Sequence, residues 1–541
     1  MATYSHFLDL PSELQVKILS SLDPEGIVSV RQTCKHLRDV EKTFHDAIWK
    51  GCLTQMTLKH PLFPPTFQTP ISSKCLESIA RRVSCLEPTF LQYRNGHQSR
   101  SELQPVPSFQ WDIWHDHLVD VEIDEVYLLP GGRFLLIVTE LWLQVWDLAP
   151  FLESHEAPAF IKRFPVPLSP TSTVMATSDG DAATVQILLA FEDFELEDDD
   201  GYPTNAPTVE LRRRFQCHLE DSDEEWWSVF VMYELRFSGK EPQLTKLGDI
   251  GLIRDLDSQA ELDDLNILTD NRALLFVDGS MVVWDFKNHS YHAWRVTERE
   301  YDPQDITVFT SQGIVFYRQK GELVMFEIPP LTPIQDANRK PQILRISSIP
   351  FSPYSSHIIR LPLRHDRLTF DSSMEPYSES KATWGLKDSD NIVFSVHDFD
   401  RNDTITTWYG LLDAAHPRTS TVKALGREKV GYHDESAYIR TIKRDYDSRE
   451  LVASLCQHPR LGSKHVWDVS VFACLSSRYS VTQEDSSLEI KPLYPIRLAD
   501  VPSETCTFDF DPFSGILVAA GYGSVRVIDI ARPSLPSSSL D

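Results

Sequence analysis

Between residues 8 and 49 the apolar positions fall at helical spacing. Leu14, Ile18 and Leu22 recur at i, i+4 and i+8, and Leu19 widens the stripe, which predicts a helix opening at Pro11. Pro11 suits a first helical turn, where its missing N–H costs nothing, and Glu13 favours the positive end of the dipole. Asp23-Pro24-Glu25-Gly26 predicts a break, with Gly26 weakening the start of the second helix. A second amphipathic run from Ile27 to Val40 places Ile27, Val30, Cys34 and Leu37 on one face, and a third short piece ends at Ile48-Trp49. Helices this short bury little surface alone, so they predict a partner or a packed neighbour.

The pattern changes twice further on. His60-Pro61-Leu62-Phe63-Pro64-Pro65 through Pro70 cannot be helical and predicts a semi-rigid connector. From Ser72 to Arg94, Leu76, Ile79, Val83 and Leu86 form a new stripe with Arg81-Arg82 facing outward, as in a packing helix that fixes the first module against the next.

Beyond residue 105 short strands take over. An apolar strand, a polar or Gly turn, and a second strand ending in Asp recur at Phe134–Val138 with Leu141–Leu148, and at Ala273–Val277 with Met281–Phe286. Gly313–Arg318 with Gly321–Ile328, and Gly515–Ala520 with Val525–Ile530, repeat the pattern. Weaker copies fall at Val185–Ala190 with Trp227–Leu235, Ile392–Val396 with Thr404–Leu412, and Leu451–Leu455 with Val466–Phe472. Together they predict about seven units at irregular intervals.

The helical residues carry more than a period. Leu10-Pro11, Glu13-Leu14, Ile18-Leu19, Leu22, Pro24, Val30, Cys34-Lys35 and Trp49 together resemble the F-box; Leu37 stands where that family often has Trp. The resemblance implies that Leu10, Pro11, Leu14, Ile18, Leu19 and Leu22 dock onto the Skp adaptor of an SCF ubiquitin ligase. The cullin and RING subunits would then be indirect partners, and Val30, Cys34 and Leu37 would pack the module's own core. The hairpins, one per unit, resemble the inner-to-outer strand pairs of WD-repeat β-propellers, although Trp-Asp endings are few and the paired Gly-His is absent. A radial array of sheets lets several hundred residues form one domain; tandem β-sandwiches are the alternative.

The expected order is therefore an F-box over 1–55, a Pro-rich linker and packing helix over 56–104, and a β-propeller-like domain over 105–535. Residues 192–225 are expected to form an acidic loop insertion and 536–541 a disordered tail. The function implied is that of a non-catalytic substrate-recognition subunit whose β domain holds a protein substrate. The alternative is a β-propeller scaffold whose helical segment is only a cap or an adaptor tether, without a ubiquitination role.

Composition sharpens this. The 541 residues hold 79 Asp+Glu against 52 Lys+Arg, a net charge of −27, which disfavours nucleic acid because phosphates must be met by Lys and Arg. Residues 1–60 are balanced, while 192–225 carry Glu197-Asp198-Asp199-Asp200 and Asp221-Ser222-Asp223-Glu224-Glu225, runs expected to form mobile solvated loops. Eight scattered cysteines without a CxxC pair suit a reducing compartment, and the polar N-terminus lacks a signal sequence, so a cytoplasmic or nuclear protein with no membrane contact is expected. Asp398-Phe399-Asp400-Arg401-Asn402 begins like a calcium loop but has Asp403 at the Gly position and Tyr409 at the Glu position. His115-Asp116-His117 has no second ligand cluster, and no GxSxG, phosphate loop or HExxH occurs. No cofactor, metal or catalytic residue is expected.

Overall fold

The computed structural model of the chain describes residues 7–59, 63, 66, 76–82, 108–113, 123–154, 156–167, 171–179, 182–192, 206–216, 225–237, 241–255, 262–268, 271–277, 280–295, 307–309, 313–318, 322–327, 330–333, 342–350, 357–360, 391–400, 404–413, 423–432, 439–446, 449–458, 466–475, 489–492, 496–498, 505–511, 513–521 and 524–533. The acidic runs 193–205 and 217–224, the stretch 83–107, His115–His117 and the tail 536–541 lie outside these residues.

Four helices open the chain: α1 (Ser12–Leu19), α2 (Pro24–Thr33), α3 (Lys35–Thr43) and α4 (His45–Lys59). The sequence predicts one helix from Ile27 to Val40, but Cys34 is extended (φ −155°, ψ 162°) and divides the run into α2 and α3. Asp23-Pro24-Glu25-Gly26, expected to separate helices, is instead the N-cap and first turn of α2. The Asp23 carboxylate accepts the Gly26 N–H at 2.5 Å, and a Cβ on Gly26 would meet that same oxygen at 2.7 Å. Glycine here serves the cap, so the helix starts three residues earlier than its apolar period suggests. Ile27, Val28, Val40, Ile48, Trp49, Cys52 and Leu53 form the module's core, each 9% exposed or less. Trp49 donates its indole N–H to Glu41, itself 4% exposed, at 2.9 Å. Leu37 is buried as expected, while Val30 and Cys34 are only half-buried.

Residues 76–82 form a further helix, α5, whose Leu76, Ile79 and Ala80 complete this same core. Two short helices follow within the β region, α6 (Ala149–Ser154) and α7 (Ala206–Gln216).

Most of the remaining described residues form antiparallel sheet. After β1 (Ser108–Ile113), sheet 1 comprises β2 (Ile123–Leu128), β3 (Phe134–Thr139), β4 (Trp142–Asp147) and β5 (Ala159–Pro165). Sheet 2 holds β6 (Thr171–Asp179), β7 (Ala182–Glu192), β8 (Glu225–Arg236) and β9 (Gln243–Asp255). Sheet 3 holds β10 (Leu262–Leu268), β11 (Arg272–Val277), β12 (Ser280–Asp285) and β13 (Ser290–Arg295). Sheet 4 begins with β14 (Thr307–Phe309), β15 (Gly313–Arg318) and β16 (Glu322–Glu327). The chain then adds β17 (Thr332–Pro333) to β13 and β18 (Gln342–Arg345), in parallel, to β9 before returning to sheet 4 as β19 (His357–Arg360). This excursion covers the outer edges of sheets 2 and 3, which would otherwise offer open backbone for pairing.

Sheet 5 has β20 (Asn391–Asp400), β21 (Thr404–Asp413) and β22 (Lys423–Tyr432). Sheet 6 has β23 (Ile439–Tyr446), β24 (Arg449–His458) and β25 (Val466–Leu475), edged by β26 (Glu489–Pro492) and β27 (Ile496–Leu498). Sheet 7 joins β28 (Thr505–Asp511), β29 (Ile516–Gly521) and β30 (Ser524–Pro533) to β1, the first strand of the chain. The described residues thus form seven sheets in chain order, and each predicted hairpin lies in a different one.

Inner strands of successive sheets pack together at β2 against β6, β6 against β10 and β23 against β28, while β2 also packs against β28. Asp509 accepts the Leu128 N–H at 2.6 Å and Asp511 the Gly131 N–H at 3.1 Å, bonds that seal the last sheet to the first. A sequential ring of antiparallel sheets, closed by pairing the first strand with the last, is the architecture of a β-propeller. Two face-to-face sandwiches would not place sheet 7 against sheet 1. The hairpins are in most sheets the middle strands, with a separate inner strand before them, where the sequence pattern suggested an inner-to-outer pair. That inner strand is less apolar, as in Ile123–Leu128 with Asp124 and Glu125 in it, and escaped the repeat.

One element departs from expectation. The insertion over 192–225, expected as a mobile loop, contains α7. Leu211 and Phe215 are 3% exposed and pack into the core between sheets 1 and 2 against Val229, Val231 and Ile253. Arg214 pairs with Asp249 at 3.2 Å.

Candidate adaptor surface and its mount

Pro11 precedes α1 in an extended conformation (ψ 144°), and its carbonyl accepts the N–H groups of Leu14 and Gln15 at 3.0 and 3.1 Å. Successive residues of a helix are about 100° apart, so α1 divides cleanly. Gln15 and Leu19, each 1% exposed, face the helical core, with Val16 and Leu22 half-buried against it. Leu14 and Ile18 face away and are 48% and 40% exposed; Leu8, in the 3-10 turn Phe7–Asp9, is 46% exposed. Among the described residues only five large hydrophobic side chains are this open, and three of them stand on this turn and helix. The three thus cluster at the N-terminal end of the helical module.

Of the six residues expected to meet an adaptor, Leu14, Ile18 and Pro11 are exposed, and Leu10 and Leu22 are half-buried. Leu19 is a correction: it lies about 100° around the helix from Ile18, is 1% exposed, and belongs to the core with Ile27 and Trp49. Burying it there stabilises the module by roughly 1.5–3 kcal/mol. Leu8, exposed beside Leu14 and Ile18, stands before the helical period begins and so drew no notice in the sequence.

The module is mounted on the β domain through α5, clamped on both sides. Toward the helices, Arg31 donates to both oxygens of Glu77, at 2.9 and 2.7 Å. Burial acts to raise the Glu77 pKa, but the Arg31 hydrogen bond and the charges of Arg31, Arg81 and His45 outweigh it and hold the carboxyl below its usual range. The Arg31 guanidinium is correspondingly pushed up, first by its hydrogen bond to Glu77. Glu41, His45 and Glu77 are close enough to share a cation, but Arg31 already supplies positive charge there.

Toward the β domain, Arg82 corrects the expectation that both arginines face out. It is 2% exposed, donates Nε–H to the Ser514 carbonyl at 2.7 Å, and places its guanidinium 2.6 Å from Asp529, which is fully buried in β30. Both charges are thus held together inside the joint. Arg81 is the outward one, paired with Glu77 at 3.4 Å. Phe513, from the turn after β28, enters the helical core directly.

The linker is pinned a second time. Phe63 is 0% exposed and meets Phe134 and Phe237 edge-on, with ring centroids 6.0 and 5.1 Å away. Its N–H bonds the Pro130 carbonyl at 2.8 Å, and Arg133, held by both oxygens of Asp147, donates to the Thr66 carbonyl at 3.0 Å. A cavity of about 20 Å³ remains at the joint, lined by Arg82, Arg133, Thr66 and Phe513, with room for about one water.

The mount lies at one end of the sheets. The turns β2–β3 and β28–β29 and helix α6, which follows β4, all meet it. Antiparallel strands alternate, so Glu192 and Glu225, where the chain leaves and re-enters sheet 2, lie at the opposite end.

A family model described as F-box-like matches residues 7–51, which hold α1, α2, α3 and the start of α4. Domains of this kind generally mediate binding to Skp-type adaptors. No curated protein matches the chain in sequence. Solved structures with a similar course include the WD40 domain of SCAP from fission yeast, at 7% identity and a TM-score of 0.33, over 76% of this chain and 82% of that one. Kluyveromyces lactis Hsv2 is similar at 10% identity and a TM-score of 0.32, over 74% of this chain and 90% of that one. Both likenesses are loose, and the architecture rests on the sheet order itself.

Proposed function

We propose that the chain is a substrate-recruiting subunit of an SCF-type ubiquitin ligase. Leu8, Leu10, Pro11, Leu14 and Ile18 dock the Skp adaptor, and the β domain holds a protein substrate at the end away from the mount. The observation that carries this reading is the open apolar face of α1 on an F-box-like module whose other helices pack into one core. A helical cap would bury that face against the β domain, yet Leu14 and Ile18 are exposed while the opposite side of the helices makes the joint.

The chain's contribution is then proximity. The clamp at α5 and the anchors at Phe63 and Thr66 hold the helical module on the β domain, which fixes where a substrate sits relative to the ubiquitin donor. The test is reconstitution of the full chain with the Skp adaptor, cullin and RING subunits. Co-assembly in one peak, with adaptor-dependent ubiquitin transfer to a captured substrate, supports the ligase role. An adaptor complex that excludes the cullin would favour a tethered scaffold.

A further inference from the structure

Gln15 is a polar residue sealed under the docking face. Its side chain is 1% exposed, and its Nε2 lies 3.2 Å from the Phe7 carbonyl, 3.2 Å from that of Leu8 and 3.0 Å from that of Leu10. Three acceptors around one nitrogen fix which end of the amide is NH2. The Oε1 is therefore the acceptor that faces His36 Nε2 at 3.2 Å. The turn's own backbone bond, from Leu10 N–H to the Phe7 carbonyl, is long at 3.3 Å. One amide thus ties the turn to α1 and, through His36, to α3.

We propose that Gln15 is a positioning residue of the adaptor surface: it preorders residues 7–11 so that Leu8, Leu10 and Pro11 stand in line with Leu14 and Ile18. This rests on the docking reading above and deepens it. An untethered turn would sample many conformations, and only the fraction already in line binds, so the apparent Kd rises by the inverse of that fraction. The apolar period of α1 gives no hint of this, because Gln15 occupies a core position with a polar group whose partners are all main chain or His36.

The test uses the full chain with Gln15→Met, which keeps the side-chain length and removes the donors. Titration with the Skp adaptor should show binding about tenfold weaker, as for a turn competent about a tenth of the time. Hydrogen exchange at the Leu10 amide of the free chain should quicken, with α4 unchanged. In a Leu8→Ala/Leu10→Ala background the same substitution should change affinity less than about threefold, because two of the three residues it positions no longer reach the adaptor.

Wild-type affinity in Gln15→Met, or the full loss persisting in the Leu8→Ala/Leu10→Ala background, would overturn the proposal, the latter by showing a purely structural role. Should the wild-type chain not bind the adaptor, the docking reading falls separately, and exchange decides whether Gln15 orders the turn: unchanged exchange at Leu10 in Gln15→Met removes that role too.

Discussion

Arg82→Met tests whether α5 is a rigid strut. Arg82 and Asp529 are 2% and 0% exposed, so the substitution leaves a carboxylate buried without its cation, while methionine retains much of the packing of the arginine stem. Breaking a buried pair from one side costs about 3–5 kcal/mol. The Ser514 carbonyl also loses the Nε–H donor it holds at 2.7 Å. At about 1.4 kcal/mol per decade, hydrogen exchange of the α5 amides should accelerate by at least two orders of magnitude. Core amides of sheet 3 should be unaffected, since the cluster of Ala273, Leu275, Val282 and Trp284 shares no residue with the joint. Adding Asp529→Asn should recover much of the loss, because the stranded charge is then gone. Exchange in Arg82→Met within about threefold of wild type, or a double variant no better than the single, would refute the strut.

Two further outcomes concern the joint. Glu77 has a folded pKa below its unfolded one, so its contribution is present above the unfolded value of 4.5 and is lost as pH falls from there through the folded value. Proteolytic cleavage between α4 and α5 should accelerate over that acid range in the wild type, and Glu77→Gln should flatten the dependence. Gly132, at φ +68°, sits in the turn between β2 and β3, where a Cβ would overlap the Ser514 hydroxyl. Gly132→Ala should destabilise the ring closure by at least about 1–2 kcal/mol from backbone conformation alone, measured as exchange at β28 and β29; unchanged protection would contradict the packing.

Much of this was legible in the chain. The seven hairpins were visible because buried middle strands such as Phe134–Thr139 and Ile516–Gly521 are apolar on both faces. The closure of the ring was not, because β1 and β30 pair across the length of the chain and neither strand announces the other. Arg82 was misplaced for the same reason: its partner Asp529 is remote in sequence, and an arginine without a known partner reads as solvent-facing. In the acidic insertion, Thr208, Leu211 and Phe215 recur at i, i+3 and i+7 and all are buried, but flanking charge hid that stripe. Leu19 was credited to the surface because a stripe of Leu14, Ile18, Leu19 and Leu22 spans more of the helix than one face can expose, and periodicity alone does not say which edge turns inward.

The most direct test of the account is titration of the Skp adaptor into the full chain, wild type beside Leu14→Asp/Ile18→Asp, with the β-sheet signal followed by circular dichroism. The account predicts one-to-one binding by the wild type, loss of that binding in the variant, and an unchanged sheet spectrum, because both side chains point away from every packed element. Wild-type affinity in a folded variant would contradict it and place the adaptor contact, if any, elsewhere on the chain.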